Sequence, residues 1–123
     1  MCLNAKKTKF MVFNKTRKNV TLQLEIDGTK LEQVKQFNLL GLIIDEKLTW
    51  HPYIHSVSCK LSRSLGIMHR LKTYLPKYIL RTIYFSIFHS HLTYQILSWG
   101  ANCSRLFPLQ KKAIRIINNA HFI

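Results

Sequence analysis

Acidic side chains are the scarcest chemical class in this sequence: 5 Asp and Glu stand against 19 Lys and Arg in 123 residues, a formal net charge of +14. Two-metal phosphoryl chemistry needs converging carboxylates. The only adjacent acids are Asp45 and Glu46, at the end of a strand-like run where neighbouring side chains point to opposite faces. They read as a turn carrying solvated acids. The three cysteines, Cys2, Cys59 and Cys103, are odd in number and widely separated, which excludes a disulfide framework or a zinc ribbon and fits a reducing, intracellular setting, nucleus or cytoplasm. Four scattered glycines form neither a Gly-x-x-x-x-Gly-Lys phosphate loop nor a Gly-x-Ser-x-Gly nucleophile elbow. No basic segment followed by an apolar run and a cleavage site opens the chain, so no secretory signal is expected. The most apolar stretch, Tyr78 to Trp99, is interrupted by Arg81, His89, His91 and Gln95 and falls short of the roughly 18 apolar residues of a membrane span.

Apolar side chains are plentiful. Hydrophobic residues make up 47% and aromatics 11%, which excludes a disordered basic tail. A chain of this length is one domain at most and buries roughly two thirds of its unfolded surface without needing disulfides or a structural metal.

The hydrophobic period changes along the chain. From Lys9 to Asp45 it is short and strand-like: Phe10 and Val12, then Val20, Leu22, Leu24 and Ile26 alternating with Thr21, Gln23 and Glu25. Asp27-Gly28 predicts a tight hairpin turn. A third strand is predicted over Phe37 to Ile44, interrupted by Gly41. After Asp45 the period is helical. Thr49 is the expected cap of a helix beginning at Trp50, with Pro52 in its first turn. Ile54, Val57, Leu61, Leu65, Met68, Leu71 and Leu75 form its apolar stripe, with Lys60, Arg63 and Arg70 on another face. A second helix, apolar almost all round and therefore expected to be central, is predicted from near Pro76 to Trp99 with Gly100 as its stop. A third, about Ser104 to Asn119, places Leu106, Leu109, Ala113, Ile116 and Ile117 on one side and Arg105, Lys112 and Arg115 elsewhere. The fold class is therefore α+β: a small antiparallel hairpin sheet in 1–46, followed by a three-helix bundle in 47–123.

His51, His55 and Cys59 stand at i, i+4 and i+8, but Pro52 occupies the position where a helical zinc-hydrolase motif needs its Glu, and supporting carboxylates are scarce. They read as helix-surface side chains, and no metal is expected. Any single Lys or Arg is ordinarily a solvated surface group. The set is different, because most of these cations have no acidic neighbour, and a phosphate backbone is the common reason for tolerating such self-repulsion.

Longer motifs carry a resemblance. Leu3-Asn4, followed by Lys7-Thr8, Met11 and Phe13, resembles the Leu-x-x-Asn-x-x-Lys-Thr-x-x-Met-x-Phe run that follows the catalytic motif in reverse transcriptases of non-LTR (LINE, jockey-like) retrotransposons, with Leu3 adjacent to Asn4 and the rest of the spacing kept. Ile26-Asp27-Gly28, Val34-x-x-Phe37-x-x-Leu40-Gly41-Leu42-x-Ile44-Asp45 and Leu48-Thr49-Trp50-x-x-x-Ile54 are similar to that family's next signature. Leu92-Thr93-Tyr94, Trp99-Gly100 and Leu109 to Ile117 resemble its downstream helices, so the resemblance spans essentially the whole chain. It implies the end of the palm in 1–46 and the thumb in 47–123 of an RNA-directed DNA polymerase. By this resemblance Lys7 stands at the lysine that protonates the leaving pyrophosphate, and Phe37, Leu40 and Gly41 stand in the primer grip. Lys60, Arg63, Arg70, Lys111, Lys112 and Arg115 are then the expected contacts to primer-template RNA or DNA. The family commonly has Lys-Tyr where this chain has Asn38-Leu39. Fingers, catalytic aspartates and the magnesium they hold would lie upstream of Leu3. A fragment of this kind is expected to have no cofactor, membrane or small-molecule substrate of its own, to depend on the missing palm and fingers as partners, and not to polymerise alone. The alternatives are a free-standing basic nucleic-acid-binding module and a nonfunctional transposon-derived product.

Overall fold

Each strand of the first half pairs with one neighbour, so the β structure is three two-stranded ladders rather than one sheet. The computed structural model describes residues 2–118. The chain divides into two compact units, Met1–Tyr53 and Ile54–Ile123.

In the first unit, β1 (Lys9–Phe10) runs parallel to β4 (Glu32–Gln33), and Lys9 Nζ lies 3.2 Å from Glu32 Oε2. β2 (Glu25–Ile26) and β3 (Thr29–Lys30) are antiparallel. They are joined at Asp27 (φ 49°) and Gly28 (φ 74°), the paired left-handed conformation that the Asp-Gly dipeptide predicts. The strand expected over Val20 to Ile26 is cut to its last two residues. Upstream, the Gln33 side chain takes the place of a neighbouring strand: its Oε1 accepts the Leu22 N–H at 3.0 Å and its Nε2 donates to the Val20 carbonyl at 2.7 Å. With no second strand alongside, Val20, Leu22 and Leu24 stay 40–47% exposed. The single strand expected over Phe37 to Ile44 is instead a hairpin, β5 (Gln36–Leu39) and β6 (Leu42–Asp45), pairing Phe37 with Ile44 and Leu39 with Leu42. Leu40 (φ 51°) and Gly41 (φ 84°) are both left-handed, and two such residues in succession reverse the chain. The α+β class holds, with two antiparallel ladders and one parallel one.

The long helix α1 (His51–Leu71) begins one residue later than predicted, because Trp50 is left-handed (φ 62°). Its junction with β6 is tied by Asp45. One carboxylate oxygen accepts the N–H groups of Thr49 (3.0 Å) and Trp50 (3.1 Å), and the other accepts the Thr49 hydroxyl (2.9 Å). Asp45 is 8% exposed, so it is a structural carboxylate and not the solvated turn acid expected. Thr49 plays the lesser capping role, since its hydroxyl oxygen is 3.5 Å from the His51 nitrogen. Burial pushes the Asp45 carboxyl up, but the Thr49 hydroxyl and the Thr49 and Trp50 N–H groups outweigh it and hold the group below its ordinary value.

In the second unit the predicted stripe of α1 is buried at Ile54, Val57, Leu61, Leu65 and Met68 and half-buried at Leu71. After Pro76 the chain forms α2 (Lys77–Ile83), a π-helical segment (Tyr84–His89) and α3 (Ser90–Thr93) as one continuous rod. The hydroxyls of Thr82, Ser86, Ser90 and Thr93 each donate to the carbonyl four residues back, which loosens helical geometry along this side. The helix predicted to reach Trp99 stops at Tyr94 (ψ 113°) and Gln95 (φ 47°). Trp99 is fully buried and its indole N–H donates to the Tyr94 carbonyl at 2.9 Å, an arrangement that a continuous helix would not permit. Past the short α4 (Ile96–Trp99), Gly100 is right-handed helical and not a stop. A 3₁₀ segment (Gly100–Leu106) leads into α5 (Phe107–Asn118). Asn119, the predicted end of this helix, lies outside the described residues. The second rod is also less buried than its composition predicts: Leu80, Tyr84 and Phe88 face the core, whereas Tyr78 and Phe85 are exposed. α2 packs on α5, with Gln110 Nε2 3.2 Å from Tyr84 Oη, and Ser64 of α1 reaches the Ile87 carbonyl at 3.4 Å.

Candidate nucleic-acid interface

In the first unit the β5–β6 turn lifts Leu40 to the hairpin tip, 76% exposed, with Gly41 beside it. Phe37, one pleat away, is turned instead towards a groove of about 380 Å³ that it lines together with Lys7, Lys9, Phe10 and Phe13. Lys7 sits in a tight turn whose Lys7 and Thr8 N–H groups both donate to the Asn4 carbonyl at 3.1 Å, and the Thr8 hydroxyl joins them at 2.8 Å. The Asn-x-x-Lys-Thr spacing is thus a self-bonded turn that leaves the lysine exposed. The fold brings Lys7 and Phe37, thirty positions apart in sequence, to one groove, and keeps Leu40 and Gly41 out of its lining.

In the second unit, Lys60, Arg63 and Arg70 are exposed. At about 100° per residue they span an arc of roughly 80° on α1, opposite its buried stripe, with half-exposed Ile67 among them. On α5, Lys111, Lys112 and Arg115 share the exposed side, while Ala113, Ile116 and Ile117 are buried behind them. The cationic side chains need no special placement to appear here. They are the residues left over once each helix has turned its apolar side inwards.

The position of the few acids, which their number alone does not reveal, sharpens this pattern. All five, Glu25, Asp27, Glu32, Asp45 and Glu46, precede residue 47, so residues 54–123 carry ten Lys and Arg and no carboxylate side chain. None of the three longest helices has an acid in its first turn. A helical unit with no acidic side chain of its own carries a net positive charge, which attracts polyanions.

Among the described residues no three His, Cys, Asp or Glu side chains gather where they could hold a metal ion. His51, His55 and Cys59 are each exposed. Asp45 already spends its oxygens on Thr49 and Trp50, and Glu32 faces Lys9, so these two acids are engaged within the protein. Among the described residues no helix is long and apolar enough to cross a membrane.

Over 115 residues, 88% of its length, the chain is 27% identical to the probable RNA-directed DNA polymerase from transposon BS of Drosophila melanogaster, and the chain spans 13% of that protein. No family model matches the sequence, and no solved structure matches it. The resemblance drawn from the short motifs is borne out: over most of its length the chain is similar to a transposon RNA-directed DNA polymerase.

Proposed function

We propose that residues 1–46 are the end of the palm and residues 47–123 the thumb of a non-LTR retrotransposon reverse transcriptase, and that this segment grips primer-template nucleic acid inside the cell while the remainder of the enzyme supplies the chemistry. In this reading the catalytic aspartates and their magnesium ions belong to the fingers and palm outside these 123 residues. Lys7 is the cation that approaches the leaving pyrophosphate. The hairpin tip at Leu40 and Gly41, with Phe37 at its base, is the primer grip. A small residue at the tip lets a backbone come close.

The observation that carries the reading is the segregation of charge. The helical unit holds ten cations and no acid, and the stripes Lys60, Arg63, Arg70 and Lys111, Lys112, Arg115 occupy exposed helix sides opposite buried ones. Lys and Arg on helix surfaces contact phosphates and do not read bases, so binding is expected to be nearly independent of sequence and steeply dependent on salt.

The test is a titration of the chain with labelled DNA duplex at increasing salt. The logarithm of the affinity should fall linearly with the logarithm of salt, by about 0.9 for each phosphate neutralised. Replacing Lys60, Arg63 and Arg70 together by Gln should flatten the slope by about two to three while leaving helical content unchanged, since the three lie off the apolar stripe. An unaltered slope would reduce the stripe to a solvated surface and remove the thumb's mechanism.

A further inference from the structure

The exposed side of the second helical rod has a different character from the two cationic stripes. Tyr78, Arg81 and Phe85 follow one another on one side of α2 and the π-helical segment, at spacings of three and four. Tyr78 is 71% exposed and Phe85 49%. The Phe85 ring stands 78° to Tyr84 and 74° to His89, with centroids 5.2 and 5.3 Å apart, and the Arg81 guanidinium lies 5.8 Å from its centroid. Beside it runs an open groove of about 440 Å³, lined by Lys77, Arg81, Tyr84 and Phe85 on one wall and by Ile114 and Ile117 of α5 on the other.

We infer that this face binds unpaired nucleotides, with bases stacked on Tyr78 and Phe85 and the connecting phosphates held by Lys77 and Arg81. The inference rests on the reading of the chain as a nucleic-acid-binding segment, but adds a second, single-stranded site to it. The duplex stripes on α1 and α5 are built from cations, whereas this face adds exposed rings to its cations. Single strands differ from duplexes by offering free base faces, and alternating cations and aromatics in a groove are the arrangement that holds them without regard to sequence. The charge of the surroundings favours the same occupant, because no acid lies anywhere in residues 54–123 to repel a phosphate or neutralise Arg81. Arginine beside a ring serves both parts of a nucleotide: its plane packs on aromatics and its fork matches phosphate oxygens.

The experiment titrates the intact chain with a short single strand carrying 2-aminopurine at its centre, the same strand made abasic there, the corresponding duplex, and phosphatidylserine vesicles. Quenching of 2-aminopurine on binding is expected, with weaker binding of the abasic strand. Tyr78→Ala and Phe85→Leu should each weaken single-strand binding by roughly fivefold or more, the range expected for one lost stack, and Tyr78→Phe should restore it. Tyr78 is mostly in solvent and leucine keeps Phe85's apolar bulk, so neither change should disturb the fold; circular dichroism checks this. Duplex affinity and its salt slope should be unchanged in these variants. The inference is overturned if the abasic strand binds as well as the intact one, if Tyr78→Ala and Phe85→Leu leave single-strand affinity untouched, or if they abolish vesicle binding instead. A flat response to Lys60, Arg63 and Arg70 replacement together with base-dependent single-strand binding would sink the duplex grip and leave this site standing.

Discussion

The two units hold together by different physics. Of the fifteen buried hydrophobic residues among those described, Leu42 and Tyr53 lie in the first unit and thirteen in the second. The first relies on directional contacts: three two-stranded ladders, the Gln33 amide standing in for a strand beside Val20 and Leu22, and the Asp45 carboxylate closing the turn before α1. Hydrogen bonds of this kind exchange with water bonds and leave about 1 kcal/mol each, whereas a buried large side chain contributes roughly 1.5–3 kcal/mol. Bonds that define geometry need not be what makes a region resistant to opening. The first unit is specified in shape but lightly stabilised, and the second draws its resistance to opening from its buried side chains.

The largest expected break in this contrast is a core truncation. Phe88, fully buried and stacked on Tyr84 with centroids 5.2 Å apart, should lose about 3–5 kcal/mol as Phe88→Ala. Leu24→Ala, at a 45% exposed position, should stay within about 0.5 kcal/mol. Hydrogen exchange reads the two units separately, and faster opening of the helices in the first variant with no change of the ladders in the second is the expected outcome. Comparable losses in both would show that the first unit has a core of its own.

Asp45 is the next lever. Its carboxyl is held below the ordinary value in the fold, so the unfolded chain takes up the proton first as pH falls. The stability it contributes is complete above the unfolded value near 3.9 and disappears as pH drops through the lower folded value. Asp45→Asn should destabilise the hairpin–helix junction by about 1–2 kcal/mol at neutral pH and remove that acid-range decline. Equal acid sensitivity of both forms in pH-dependent unfolding would assign the decline to another group.

The smallest effect concerns Leu40, which holds a left-handed conformation that side chains other than Asn, Asp and Gly resist. Leu40→Asn should stabilise the first unit by about 1 kcal/mol, seen as slower exchange of β5 and β6 amides. In the proposed grip the same change should weaken primer-template binding, because an apolar tip that is 76% exposed has been given up. Improved stability with unaltered binding would make the hairpin tip a bystander.

The helices of the second unit were readable because their stripes obey a simple period: Ile54, Val57, Leu61, Leu65 and Met68 could be placed in the core from spacing alone. The Asp27-Gly28 turn was equally local, since the dipeptide's tolerance of positive φ needs no partner to express itself. Leu40-Gly41 is not readable in the same way, because leucine carries no preference for that conformation, and without a turn signal the run from Phe37 to Ile44 has the pattern of one strand. Nor could composition show that the rod from Lys77 to Thr93 exposes Tyr78 and Phe85, as an all-round apolar helix looks buried whether or not neighbours exist to cover it.

What the sequence determined by itself is therefore whatever depends on neighbours along the chain: the change from a strand-like to a helical period, the inward side of each helix and the cationic side left facing water, and the absence of acid after Glu46. What only the tertiary structure decided depends on groups distant in the chain. Lys7 and Phe37 meet in one groove, Gln33 replaces a strand for Val20 and Leu22, Asp45 becomes a buried acceptor instead of a surface acid, and Trp99 ends the second rod by claiming the Tyr94 carbonyl. Local spacing sets which way a side chain points. Which polar group answers another, and which apolar surface finds a cover, is settled only when separate segments compete for the same space and the same hydrogen bonds.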